Sequence, residues 1–98
     1  MDNQFKAYTQ SAELLKAIAH PVRLCIIKGL IDKGSCNVTY MQECLDLPQS
    51  TVSQHLQKLR SLGIVETQRS GLENYYSVRD DRIVRLVQLL LKEESQNE

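Results

Sequence analysis

Hydrophobic periodicity changes abruptly at Gly63. Before it, Val52, Leu56 and Leu59 recur at spacings of four and three, the stripe of a helix held on one side. After it, Ile64-Val65-Glu66-Thr67-Gln68 and Asn74-Tyr75-Tyr76-Ser77-Val78 are rich in β-branched and aromatic residues. The intervening Arg69-Ser70-Gly71-Leu72-Glu73 holds a turn-forming glycine. The pattern predicts a helix over about 49–62 followed directly by a two-stranded hairpin over about 64–78. In a chain of 98 residues this junction belongs to a single small domain spanning 1–98.

The residues upstream read as three more helices. Phe5, Tyr8, Ala12, Leu15 and Ile18 form a helical stripe over about 4–18. His20-Pro21 ends it, because proline disfavours helical conformation in the residue before it and suits the first turn of a new helix. The second helix runs from Pro21 to about Lys33, with Gly34 as its stop. A short third covers about 38–45, with Asn37 or Thr39 as its N-cap and Thr39-x-x-Gln42 as a candidate capping box. A last helix spans about 80–94 with Asp80 or Asp81 at its start, where the helix dipole favours a carboxylate; residues 95–98 are expected to fray. The expected fold is mainly α with a small β-hairpin wing: a winged helix-turn-helix of about five helices, its helix-turn-helix at about 38–62.

The outer face of the 49–62 helix shows what such a unit is for. Gln49, Ser50, Ser53, Gln54, Gln57, Lys58 and Ser61 are polar and mostly short, and the segment has no acid. Exposed helices are ordinarily dressed with both Glu and Lys. Glutamine can pair bidentately with adenine, and serine and threonine can meet bases or phosphates. The first turn of a recognition helix does most of the base reading, and here it is Gln49-Ser50-Thr51. Lys58 and Arg60, with Arg69 at the hairpin tip, are placed for phosphates. His55 is structural or a further phosphate contact. The net charge is zero, but residues 49–79 carry four cations against two acids, whereas 80–98 carry three against five. The asymmetry is modest and decides nothing alone.

Three segments carry a resemblance. Ala12-Glu13-Leu14-Leu15-Lys16-Ala17-Ile18-Ala19-His20-Pro21-x-Arg23-Leu24, then Leu47-Pro48-Gln49-Ser50-Thr51-Val52-Ser53-Gln54-His55-Leu56, then Gly71-x-x-x-Tyr75-Tyr76, together resemble the ArsR/SmtB repressors over about residues 12–90. The resemblance implies a dimeric winged helix on an inverted-repeat, double-stranded DNA operator, released by an inducer. Many members place a basic residue directly after the wing glycine. Here Leu72 and Glu73 follow it, leaving Arg69 as the only tip cation. Members that sense metals use a C-x-C pair on the third helix or Asp, His and Glu ligands on the last. This chain has Asn37-Val38-Thr39 near the first location and no histidine in 80–94, so no metal or other cofactor is expected.

Dimerisation is also expected from the last helix itself. Ile83, Val84, Leu86, Val87, Leu89, Leu90 and Leu91 cover most of its circumference, and such a helix must be buried on more than one side. A second copy related by a two-fold axis supplies the missing surface most simply. The expected interface is Phe5 and Tyr8 with Ile83, Val84, Leu86, Val87, Leu90 and Leu91.

Sensing rests on three cysteines. Cys25 and Cys44 lie in helices and read as core packing, since free cysteine behaves as a small hydrophobe. Cys36 follows Gly34-Ser35 in an apparent loop and is expected to be exposed, a condition for a reactive thiol. A thiol switch through Cys36 and a second cysteine would release DNA on oxidation or by reactive sulfur; the alternative is a repressor with no small inducer. An odd number of cysteines without C-x-x-C spacing fits reduced thiols in a cytoplasm. The polar N-terminus lacks a signal-peptide core, and no apolar run nears the ~20 residues that cross a bilayer. No glycine-rich phosphate loop, facing acids or Cys/His pairing suggests an enzyme. The rival function is a winged-helix module that binds protein instead of DNA.

Overall fold

The computed structural model describes residues 3–92. The elements, in chain order, are α1 (Asn3–Ile18), α2 (Pro21–Lys33), β1 (Cys36–Asn37), α3 (Val38–Leu45), α4 (Gln49–Ser61), β2 (Val65–Ser70), β3 (Glu73–Val78) and α5 (Asp81–Leu90). The five helices and the wing stand where the periodicity placed them. The expected last helix over 80–94 is observed as 81–90, and its residues 93 and 94, like the fraying expected at 95–98, lie outside the described residues.

Local chemistry explains the boundaries. His20 is the N-cap of α2, its Nδ1 accepting from the Val22 amide at 3.1 Å, with Pro21 in the first turn. Gly34 ends α2 at φ +94°, a left-handed conformation, while its amide bonds the Leu30 carbonyl at 2.7 Å. Asn37 caps α3 by accepting from the Tyr40 amide at 2.8 Å. Thr39 lies inside α3, so the alternative cap and its box do not form. Asp80 caps α5 through the Arg82 amide.

The wing has three strands where two were expected. β2 and β3 pair in antiparallel register from Val65↔Val78 to Ser70↔Glu73. Asn37 and Cys36 add a short outer strand, Cys36↔Tyr76 and Asn37↔Tyr75, giving the order β1-β3-β2. Two residues between a helix stop and a helix cap are too few for a periodic signal, so only the pairing with β3 reveals them.

One core joins everything. Ile27, Val52, Leu56, Leu59, Ile64 and Val87 are completely enclosed, and Ala17, Ile18, Ile26, Leu30, Cys36, Met41, Val65 and Ile83 complete the cluster. Helix α2 is central, packing against α1, α5 and β3, while α3 packs against α4 and β1. Helix α4 is thereby held to the core by Val52, Leu56 and Leu59, the three residues its sequence stripe identified.

Candidate nucleic-acid interface

The burial of Val52, Leu56 and Leu59 turns the other side of α4 outward. Gln49, Ser50, Gln54, Gln57, Lys58 and Arg60 are exposed, and Thr51, Ser53 and His55 are half-buried at the margins. Among the described residues, no ion pair engages Lys58 or Arg60. No side chain caps the first turn of α4, which begins after Pro48. Its leading amide groups and the positive end of its dipole therefore face outward beside Gln49 and Ser50.

His55 faces inward, toward the junction of α1 and α2. Its Nδ1 accepts from Arg23 Nε at 3.1 Å, and Arg23 Nη1 also donates to the Ala17 carbonyl at 3.1 Å. The His55 and His20 rings meet with centroids 4.8 Å apart and planes tilted by 59°. Burial, then the neighbouring His20 and Arg23, hold the His55 pKa below its ordinary value of 6.5. These contacts serve the structural alternative for His55. The chain's two histidines and Arg23 form a cross-link between the helix junction and α4, one that pairs positions 32 residues apart and has no signal in local spacing.

The wing tip is formed around Gly71, at φ +66°. Arg69 Nε donates to the Gly71 carbonyl at 3.1 Å, which folds the guanidinium back over the turn, and Leu72 stands 91% exposed. Glu73 is not a loose acid in the wing, because its carboxylate accepts from the Asn37 side-chain amide. Asn37 thus caps α3 with its oxygen and holds the wing with its nitrogen, a second role that the sequence did not suggest. The acids of α5 are engaged as well: Asp80 pairs with Arg82 at 2.8 Å and Asp81 with Arg85 at 2.7 Å. The side-chain hydrogen bond from Arg82 is the main reason the Asp80 pKa lies below the usual carboxylate value.

Comparison with known proteins supplies the family. Residues 18–68 match the model of a helix-turn-helix domain. The transcriptional repressor PagR of Bacillus anthracis is 42% identical over 87 residues, covering 89% of this chain and 87% of PagR. Its crystal structure superposes with a TM-score of 0.81 at 43% identity, over 88% of this chain and 98% of PagR. The repressor SmtB of Mycobacterium tuberculosis is 39% identical over 77 residues, 79% of this chain and 56% of SmtB. The chain belongs to the ArsR/SmtB family of winged helix-turn-helix repressors. A homodimeric winged helix-turn-helix DNA-binding domain from Mycobacterium bovis, Mb0332, described as a possible ArsR-family regulator, also superposes, with a TM-score of 0.85 at 29% identity over 99% of this chain and 89% of Mb0332.

Two expectations about this ArsR/SmtB chain need correction. The first concerns the thiols. Cys36 is buried, 3% exposed, whereas Cys25 and Cys44 are exposed. Pairing with Tyr76 turns the Cys36 side chain into the core, and burial pushes its thiol pKa up. Cys25 and Cys44 sit on helix flanks beside the buried Ile26 and Met41 respectively. The second concerns the dimer set. Ile83 and Val87 are buried within the protomer and present nothing to a partner. Val84, Leu86 and Leu91 are half-buried. Of the expected set Phe5, Tyr8 and Leu90 are exposed in the protomer, and so are Leu15 and Leu89, which were not in that set. Among the described residues, no cluster of three or more His, Cys, Asp or Glu side chains is arranged to hold a metal, and no helix is long and apolar enough to cross a membrane.

Proposed function

We propose that this repressor binds an inverted-repeat operator as a homodimer, with one α4 helix in the major groove of each half-site. The carrying observation is the acid-free outer face of α4, held outward by three enclosed apolar residues and led by an uncapped first turn. In this reading Gln49, Ser50, Thr51, Ser53 and Gln54 address base edges. Lys58, Arg60 and Arg69 meet phosphates, and His55 positions the helix through Arg23. Phosphate contacts fix register and base contacts supply specificity. The exposed Phe5, Tyr8 and Leu15 of α1 and Leu89 and Leu90 of α5 supply the dimer surface, a reading supported by the homodimeric state of Mb0332. Thiol chemistry at Cys25 or Cys44 is the proposed route of release.

The test is binding of the reduced protein to DNA upstream of its own gene, compared with scrambled DNA of equal length. Specific binding is expected, and Gln54→Ala should weaken it by about 1–3 kcal/mol per lost bidentate contact, while changing affinity for scrambled DNA little. A protein that binds the two DNAs equally, and in which Gln54→Ala changes nothing, would refute the reading and leave a protein-binding winged helix in its place.

A further inference from the structure

All three cysteines and Met41 line a single pocket of 270 Å³ between α2, β1 and α3. Its walls include Ile26 and Leu45, and Gly29 leaves a gap on the α2 side. Cys25 and Cys44 reach solvent from opposite helices, and Cys36 lies buried. Tyr40 shares the lining with Cys44, and Lys33 sits 4.9 Å over the Tyr40 ring. The other charged lining residue, Asp32, is tied to Lys28 at 2.8 Å. The space is slightly smaller than the ~300 Å³ lower end of small-molecule sites.

We propose that this pocket is the effector site of the repressor and takes a small, uncharged, apolar Michael acceptor that adds to Cys25 or Cys44. The inference rests on the repressor reading above. The apolar walls select a neutral organic molecule, and two accessible thiols select an electrophile. The absence of a metal-holding cluster among the described residues argues against a thiolate-bound ion. A simple peroxide would need no apolar cavity.

The chemistry is an addition. The sulfur lone pair forms a C–S bond to the β-carbon, and the C=C π pair moves through the carbonyl to an enolate. The enolate then takes a proton from water at the α-carbon. The thiol proton leaves to solvent, so S–H is added across C=C with no oxidant and no leaving group. The pocket lies where such an adduct would matter. Helix α3 packs against α4, and β1 pairs with the wing strand β3. Material wedged between α2 and α3 displaces both DNA-contacting parts from the rest of the protomer.

The test uses the full reduced chain with two probes, N-phenylmaleimide and a carboxylate-bearing maleimide, each rate normalised to that of glutathione. N-phenylmaleimide is expected to label Cys25 or Cys44 with a rate that saturates in probe concentration. Burial of its ring should favour it by about tenfold over the charged probe. A Cβ at Gly29 would meet nothing within 4 Å, so Gly29→Leu partly fills the pocket while keeping every thiol and the helix. It should abolish the preference, with circular dichroism confirming the fold. Equal, non-saturating rates for both probes, or a preference that survives Gly29→Leu, would overturn the pocket. In the second arm the adduct should release operator DNA, and the double variant Cys25→Ser/Cys44→Ser should hold DNA after the same treatment. Saturable labelling with operator binding unchanged would overturn the effector role. If the untreated protein binds no operator, it is the repressor reading that fails, and the labelling arm still decides the pocket.

Discussion

At neutral pH the His55 imidazole is uncharged, and its Nδ1 can accept from Arg23. Protonation places a hydrogen on that nitrogen, opposes two N–H donors, and sets a cation beside Arg23 and His20. The folded pKa lies below the unfolded value of 6.5. As pH falls through 6.5 the unfolded chain therefore takes up the proton first, and stability must fall toward the folded pKa. Stability from this network is fully present above the unfolded value. Chemical denaturation between pH 8 and pH 5 should show the loss, and His55→Gln should flatten that part of the profile. A wild-type profile with the same slope as the variant would remove His55 from the explanation. At the start of α3, Asn37→Ala removes both the helix cap and the Glu73 contact. Loss of a cap costs about 1 kcal/mol, so Asn37→Ala should lower the unfolding free energy by at least that much. Thr39→Ala should cost far less, since Thr39 caps nothing.

At the scale of elements, α1 and α5 differ from the other helices in what they leave uncovered. Leu89 is 66% exposed and Tyr8 68% exposed, while the opposite side of α5 anchors Ile83 and Val87 in the core. A helix with apolar residues on both faces must be covered on both, and the protomer covers only one. If the proposed dimer forms through these faces, Leu89→Glu should shift it to monomer in light scattering at micromolar concentration, with helical content retained. Val87→Glu should instead unfold the protomer, because it buries a charge without a partner. If both variants stayed dimeric and folded, this assignment of the faces would be wrong.

For the molecule as a whole, charge distribution outweighs net charge. A neutral chain binds DNA only if its cations stand on one side and its acids are occupied elsewhere. Here Asp80 and Asp81 are paired with arginines of their own helix and Glu73 with Asn37, while Lys58 and Arg60 remain exposed on α4. In the proposed complex, three phosphate-directed cations per protomer give six in a dimer, and each neutralised phosphate contributes about −0.9 to the logarithmic salt slope. The operator affinity should therefore fall with a slope of about −5. Lys58→Ala should make that slope shallower by about 2 in the dimer. A salt-independent complex would mean that the surface binds something other than a polyanion.

The sequence by itself determined the elements and the polarity of their faces. Helical spacing of Val52, Leu56 and Leu59, the His20-Pro21 break and the Gly71 turn are local properties, encoded by steric and burial preferences within a few residues. The acid-free face of α4 follows from the same stripe, because fixing the buried side fixes the exposed one. Tertiary structure decided what depends on a distant partner. Cys36 looked like a loop residue, and became buried only because Gly34 turns the chain back onto Tyr76. Cys25 and Cys44 looked like core, but lie on helix flanks that open onto a common pocket. Ile83 and Val87 could not be told from Leu89 and Leu90 on a helix apolar nearly all round, until the protomer chose which side to bury. The joining of His20, Arg23 and His55 arises from the packing of α4 against the α1–α2 junction, which no local spacing specifies.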